Sequence, residues 1–166
     1  MIKIGGKLIL SILLIPLQLI TVDAQNPDNH SINETNDKEA IKRVIELFLV
    51  SAGNYDVETM SQLFLPDANI GWPSNRDGKW TTKSMTAETW FENLKKRTNP
   101  TRYTEPVSNY TIHISAGHLA FVLADATYCI HGTPMAHNMD YFVLMKDDED
   151  WKILSGSFTS TPIEKK

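Results

Sequence analysis

Three side chains in the second half of the chain have the types and surroundings that small-molecule chemistry uses. His137 carries an imidazole that can take up or release a proton near neutral pH. Tyr128 and Tyr141 each join an apolar ring to one hydroxyl, which suits a mostly apolar pocket with a few orienting polar groups. If the domain is an enzyme, His137 is its predicted general base and Tyr141 its predicted catalytic orienting group; a histidine at the rim that is satisfied by its surroundings is the open alternative. Core tyrosines whose hydroxyls bond to the backbone remain an open alternative.

Other combinations of polar side chains favour no further site. His131 and His137 are six residues apart in a predicted hairpin. The strand pairing predicted for that hairpin places them on opposite faces, so no metal site is predicted. Asp125 and Asp140 lie mid-strand, and the same register places both on the outer face as solvated charges. The acidic run at 147–150 lacks the ligand spacing of a calcium loop. There is no glycine-rich phosphate loop and no His-Glu-x-x-His motif.

Composition narrows the classes of function. The 166 residues suit one domain, and a net charge of −4 without a basic run makes nucleic acid an unexpected partner. The single cysteine, Cys129, excludes an internal disulfide and any multi-cysteine metal site.

The first 24 residues have the order of a secretory signal peptide: lysines, an apolar run, and a small residue before the cut. Cleavage is predicted between Ala24 and Gln25. The apolar run is shorter than the roughly 20 residues of a spanning helix, so no stable membrane anchor is expected. The protein is therefore predicted to be exported, to a periplasm or to the medium, where nucleotide cofactors are not at hand and no cofactor is expected. Residues 25–36 are polar and aperiodic, and are predicted to be a disordered spacer.

Two helices are predicted after the spacer. The first begins at Asn36 or Asp37 and ends at Gly53, and the second is short, capped by Asp56 and stopped by Pro66. The apolar residues of the first recur at the spacing of one helix face: Ile41, Val44, Ile45, Phe48, Leu49 and Ala52.

The rest of the chain is predicted to be mostly strands. A short strand at 68–72 and a turn at 73–78 precede a third helix at about 86–97. Four runs with period two then follow, joined by short turns: 103–115, 118–131, 136–146 and 151–161. Helices followed by an antiparallel meander define an α+β fold.

The turn around Gly132 predicts how the two central strands pair. A four-residue loop, Gly132–Met135, would place Tyr128 opposite Met139 and would direct His137, Met139 and Tyr141 toward the helices. The outer face would then carry a half-apolar patch, which predicts a homodimer through that face. The patch residues are Phe121, Leu123, Phe142 and Leu144.

Four segments together resemble one known family. They are Gly53-Asn-Tyr-Asp56, Leu63-Phe-Leu-Pro-Asp-Ala68, and the closing strands at 140–146 and 151–153. Over residues 37–162 the chain resembles the nuclear transport factor 2-like (NTF2-like) superfamily in its SnoaL-like bacterial branch. The resemblance implies a cone, in which a strongly bent antiparallel sheet wraps about three N-terminal helices and a pocket opens at the wide end. It implies no single activity, because this fold hosts isomerases, dehydratases, cyclases, epoxide hydrolases and binding proteins.

The resemblance also offers one mechanism to compare. Steroid isomerases of similar plan use a hydroxyl donor, a carboxylate base and a neutral acid at positions that fall near Phe48, Trp72 and Tyr141 in this chain. Phe48 has no hydroxyl and Trp72 cannot take a proton. That mechanism is therefore not expected here.

The resulting hypothesis is a pocket that binds a small, largely apolar molecule. Its predicted lining, with His137 at the rim, is Phe48, Trp72, Trp90, Tyr128, Met139 and Tyr141. Two alternatives stay open. One is a cofactor-independent isomerase, dehydratase or cyclase with His137 as base, and the other is a dimeric scaffold whose cone is filled.

Overall fold

The computed structural model describes residues 27–76 and 78–164. The predicted signal peptide at 1–24 lies outside these residues and stays a prediction. The elements in chain order are α1 Pro27–Asn54, α2 Val57–Gln62, β1 Phe64–Arg76, β2 Lys79–Thr86, α3 Ala87–Lys95, β3 Val107–Ser115, β4 Leu119–Ile130, β5 Thr133–Asp147 and β6 Asp150–Pro162. No helix in this described part is long and apolar enough to cross a membrane.

The six strands form one bent, open sheet in the order β2-β1-β6-β5-β4-β3. Neighbouring strands are antiparallel except β1 and β6, which pair in parallel. The predicted α+β class is confirmed, and the all-antiparallel sheet is corrected at this one pair. The two strands can pair in parallel because no tight turn joins them: α3 and four other strands lie between them in sequence.

Helix α1 is longer than the apolar pattern predicts, because it begins at Pro27 and takes in most of the expected disordered spacer. Proline is favoured in the first turn of a helix, and Lys38 lies 2.7 Å from Glu34, one turn away. Because these contacts are polar, the N-terminal part of α1 has no apolar periodicity from which the helix could be predicted. The predicted apolar face is otherwise buried, with Ile41 and Ile45 fully inaccessible.

Asp37 fixes α1 to the sheet. Its Oδ1 accepts hydrogen bonds from Lys146 Nζ at 2.9 Å and from Trp151 Nε1 at 3.0 Å. Burial opposes ionisation of Asp37, but these two bonds outweigh it and lower the pKa of the carboxyl. The middle of α1 is thereby held at the turn between β5 and β6.

The strand predicted at 68–72 is part of the longer β1, and the hairpin of β1 and β2 replaces the turn predicted at 73–78; the helix predicted at about 86–97 is present as α3. β2 is an edge strand with almost every side chain exposed, so it shows no apolar alternation. Pro73 is tolerated inside β1 because the pairing with β6 ends at Gly71, which leaves that side of β1 unpaired. Helix α3 then begins after Thr86, whose hydroxyl accepts from the Thr89 N–H.

The predicted register between β4 and β5 is wrong. The turn has two residues rather than four: His131 and Gly132 have φ values of 50° and 75°, as a tight hairpin turn requires. A bulge then leaves Met135 without a partner between Cys129↔Pro134 and Tyr128↔Ala136. The net slip is odd, and an odd slip exchanges the two faces of β5.

The exchange of faces decides which side chains of β5 reach the interior. Asn138, Asp140, Phe142 and Leu144 point inward and are buried. His137, Met139 and Tyr141 point to the outer face, opposite to the prediction. Phe142 and Leu144 therefore do not belong to the outer patch.

Candidate ligand-binding site

A cavity of about 500 Å³ lies between the C-terminal part of α1, α3 and the concave face of the sheet. We call it the central cavity. Aromatic rings from six elements and two connecting segments line it: Phe48, Tyr55, Trp72, Trp90, Tyr103, Tyr128, Phe142 and Phe158. Its volume and aromatic walls are those of a small-molecule site.

Four predicted pocket residues line the central cavity, namely Phe48, Trp72, Trp90 and Tyr128. The other predicted site residues do not reach it, because the register of β5 directs them to the outer face. Among these, His137 Nε2 lies 2.6 Å from Asp125 Oδ1, and its side chain is 48% exposed. A general base at His137 is therefore incompatible with chemistry in this cavity.

Phe48 organises the apolar part of the cavity from its position near the end of α1. Its ring makes edge contacts with Phe64 at 5.3 Å and with Phe142 at 5.6 Å between centroids. Across the cavity, Trp72 stacks on Phe158 at 5.7 Å with an interplanar angle of 18°. These contacts fix the rings, so the apolar walls are preformed.

The polar groups at the buried end of the cavity include Asp140, Asn138 and Glu105. Asp140 and Asn138 are only 4% and 6% exposed, and both lie on the inward face of β5. Asn138 Nδ2 donates a hydrogen bond to Glu105 Oε1. Asn138 Oδ1 and Asp140 Oδ2 are buried and have no hydrogen-bond partner among the described protein atoms. Since buried polar groups are nearly always paired, these two atoms mark a place for a bound group.

Burial, and secondly the nearby Glu105, raise the pKa of Asp140 to about 8. Burial also raises the pKa of Glu105, although the hydrogen bond from Asn138 opposes this. At neutral pH the Asp140 carboxyl therefore keeps its proton and can donate a hydrogen bond into the cavity.

Glu105 reaches the cavity because the segment 101–106 crosses it as a wall. Tyr103 N–H donates to the Gly53 carbonyl at 3.1 Å, and Thr104 exchanges two backbone hydrogen bonds with Cys129. A Cβ at Gly53 would lie 2.2 Å from the Tyr103 carbonyl oxygen, so only glycine permits this approach. Burial is also the main cause of the raised pKa of Tyr103, whose ring lies 4.9 Å from that of Tyr128.

A second depression of about 660 Å³ lies on the other side of this wall and shares Leu49, Tyr103 and Glu105 with the central cavity. Burial, with Glu46 and Asp140 nearby, raises the pKa of Tyr110 to about 12, and its buried hydroxyl has no partner among the described residues. We take the smaller central cavity as the candidate site, because it is lined by most of the aromatic rings and by two side chains that each have one polar atom without a partner among the described residues.

Neither the histidine pair His131 and His137 nor the carboxylate pair Asp125 and Asp140 forms part of a metal-binding cluster among the described residues. Asp125 faces outward and Asp140 inward, so the predicted shared face of these two carboxylates is wrong. Within 27–76 and 78–164, no three His, Cys, Asp or Glu side chains are grouped so as to hold a metal ion.

Sequence reasoning missed the three polar residues of the cavity for different reasons. Asp140 stands out as a mid-strand carboxylate, but the wrong register assigned it to the outer face. Asn138 was misplaced by the same error. Glu105 carries no local signal, since it lies in an irregular segment that a contact with Gly53, fifty residues away, brings to the cavity.

The fold and this cavity define a member of the NTF2-like superfamily. A family model described as "putative lumazine-binding" matches residues 36–159, and the chain belongs to that family. No curated protein matches the chain at a significant level.

Solved structures share the fold at low sequence identity. An NTF2-like protein with a cystatin-like fold from Novosphingobium aromaticivorans is 14% identical, with a TM-score of 0.63 over 82% of this chain and 90% of that chain. An NTF2-like protein from Cytophaga hutchinsonii is 20% identical, with a TM-score of 0.58 over 74% of this chain and 97% of that chain. A protein called a putative scytalone dehydratase, also from N. aromaticivorans, is 14% identical, with a TM-score of 0.58 over 79% and 88%. At these identities the likeness shows the fold alone.

Proposed function

We propose that this domain binds a small, largely apolar ring compound in the central cavity. The observation that carries the proposal is the combination of preformed aromatic walls with two buried polar atoms that have no hydrogen-bond partner within the described residues, Asp140 Oδ2 and Asn138 Oδ1. Leaving such atoms unpaired costs about 1–3 kcal/mol each, and a ligand that pairs them recovers this cost. A scaffold with a filled cone would offer neither feature.

The two polar atoms indicate the chemistry of the ligand's polar edge. The protonated Asp140 carboxyl donates to an acceptor such as a carbonyl oxygen, and Asn138 Oδ1 accepts from an N–H or O–H group. A ring edge with a donor beside an acceptor satisfies both. The description of the family as lumazine-binding supports a ring compound of this kind for this chain.

A second candidate function is cofactor-independent proton transfer, as in a dehydratase or an isomerase. The observation that favours it is the buried carboxyl pair of Asp140 and Glu105, with the pKa of Asp140 close to neutral pH. The base in this hypothesis is a cavity carboxylate and not His137. A relative named for a dehydratase shares the fold, which is compatible with this candidate.

Filling the cavity should abolish ligand retention. Ala52 is a small, buried residue of α1 that lines the central cavity, so Ala52→Phe should project a ring into that space. Native mass spectrometry of the full chain should detect a co-purifying small molecule in the unmodified protein but not in Ala52→Phe. The matched control, His137→Ala on the outer face, should retain it.

Three outcomes of that experiment have distinct meanings. Retention by Ala52→Phe, or retention by no form of the protein, contradicts the proposed binding function. A molecule that is retained and returned chemically changed favours the enzyme. A molecule that is retained and returned unchanged favours binding alone.

We also propose a homodimer through the outer face of the sheet. Leu119, Phe121 and Met145 are 41–44% exposed there and adjoin half-buried Leu123 and Val143. A two-fold axis over an antiparallel sheet lets such a patch pair with itself.

Introducing a charge into this patch should dissociate the dimer. Phe121→Glu would bury two like charges against each other, so light scattering should report a monomer, with the unmodified protein a dimer at micromolar concentration. Cavity binding should persist, because Phe121 faces away from it. A monomeric unmodified protein would refute the dimer.

A further inference from the structure

Two cationic side chains line the central cavity at its exposed part. Lys83 lies on β2 and Arg97 follows α3 by two residues, and both are exposed. Each lies over an aromatic ring of the cavity wall: Lys83 Nζ is 5.9 Å from the centroid of Trp72, and Arg97 Cζ is 5.8 Å from that of Tyr55. These contacts place both charged groups beside rings of the cavity wall.

Neither cation has an ion-pair partner in the described part of the chain. Among residues 27–76 and 78–164, no carboxylate lies within ion-pair distance of Lys83 or Arg97, although other lysines of the chain, such as Lys95 and Lys146, are paired. The carboxyl groups of the cavity are Glu105 and Asp140, and both belong to its buried part.

The charge of the cavity therefore differs from that of the chain. The chain as a whole carries a net charge of −4. At neutral pH Asp140 keeps its proton, so the ionised groups that line the cavity are Lys83, Arg97 and at most Glu105. The exposed part of the cavity is positive, and its buried part is apolar with a hydrogen-bonding edge. A positive opening on an acidic protein selects for negatively charged ligands.

We propose that the ligand of the central cavity is an organic anion, whose ring body lies between the aromatic walls and whose oxyanion group, a carboxylate or sulfonate, meets Lys83 and Arg97 at the opening. The inference rests on the proposed function, because it assigns a chemical class to the molecule bound there. Arg97 can bind such a group through two parallel N–H donors, and Lys83 contributes a point charge.

Two fluorescent probes that differ in one group test this inference. 8-Anilinonaphthalene-1-sulfonate has an apolar aromatic body with an anionic oxyanion group, and N-phenyl-1-naphthylamine has the same aromatic body without the charge. Both become bright in apolar surroundings. Binding of each is measured by fluorescence titration of the full chain, with Ala52→Phe as the variant whose cavity is filled.

The anionic probe should bind the unmodified protein about three- to tenfold more tightly than the neutral probe, as expected for contacts with partly exposed cations. The variant Lys83→Gln/Arg97→Gln should remove that preference and leave the affinity for the neutral probe within about twofold. Added salt should weaken only the anionic probe. The matched control Lys79→Gln removes a cation from the same strand outside the cavity lining, and should change neither affinity.

The outcomes separate the two proposals. If neither probe binds in a manner that Ala52→Phe abolishes, the cavity is not a binding site and the proposed function fails. If the neutral probe binds there but the anionic probe is not preferred, the anion inference fails while the proposed function stands. The anion inference also fails if Lys79→Gln lowers the preference as much as the double variant does.

Discussion

Replacing Leu144 with alanine should lower the free energy of unfolding by about 2–5 kcal/mol, whereas Met145→Ala should lower it by less than about 1 kcal/mol. Leu144 is fully buried in the core and Met145 is 41% exposed on the other face of the same strand. The first variant loses apolar burial and leaves a cavity in packed surroundings. The second removes side-chain atoms that are exposed in the single chain, and both variants are compared in the Phe121→Glu background so that the proposed dimer contact does not contribute. Chemical denaturation with urea measures both values.

The same pair of variants tests the two-residue turn at His131 and Gly132. A four-residue loop would turn Met145 inward and Leu144 outward, and the order of the two effects would then be reversed. A larger loss for Met145→Ala would therefore overturn the register of β5, and with it the placement of Asp140 in the central cavity.

Asp140→Asn should stabilise the protein at alkaline pH. The folded carboxyl has a pKa of about 8 against an ordinary value of 3.8, so it keeps a proton that the unfolded chain has lost. The contribution of this one group to folding stability is consequently greatest below about pH 4, falls as the pH rises toward 8, and changes no further above that. The full loss is of the order of 5 kcal/mol at most. Asparagine keeps the shape of the neutral acid and cannot ionise.

Urea unfolding at pH 4, 7 and 9 measures this effect. At pH 9 the variant should exceed the unmodified protein by about 2–5 kcal/mol, and at pH 4 the two should agree within about 1 kcal/mol. The free energy of unfolding of Asp140→Asn should still fall somewhat as the pH rises, because burial also raises the pKa of Glu105. The control Asp125→Asn, on the exposed outer face beside His137, should show no such gain. Equal stability of Asp140→Asn and the unmodified protein at pH 9 would contradict a buried, neutral Asp140.

Where apolar side chains repeat along one face, the sequence predicts the structure well. The buried side of α1, with Ile41, Ile45 and Phe48, follows from its spacing, and the four closing strands lie close to their predicted bounds. Part of the cavity wall could also be predicted from the sequence, since Phe48 and Tyr128 lie in these elements. Strand β2 does not follow, because its exposed residues leave no pattern to read.

The polar part of the site could not be derived from spacing. Both alternating sets of β5 contain large apolar residues, Phe142 and Leu144 in one, Tyr141 and Val143 in the other, so hydrophobicity did not choose between the two registers. The choice depends on a bulge of one residue, which is set by packing of the whole sheet rather than by local sequence.

The hydrogen bonds of Asp37 with Lys146 and Trp151 indicate from which end the protein can be labelled or immobilised. They hold α1 at the β5–β6 turn. Ala52 and Tyr55 border the central cavity, and Ala52 lies about 22 Å from Asp37 along the helix axis. The ten residues from Pro27 to Asn36 extend the helix by about 15 Å away from that border. A tether, label or sensor surface joined on the N-terminal side therefore leaves the opening directed toward free solution, where a ligand can enter without meeting the support.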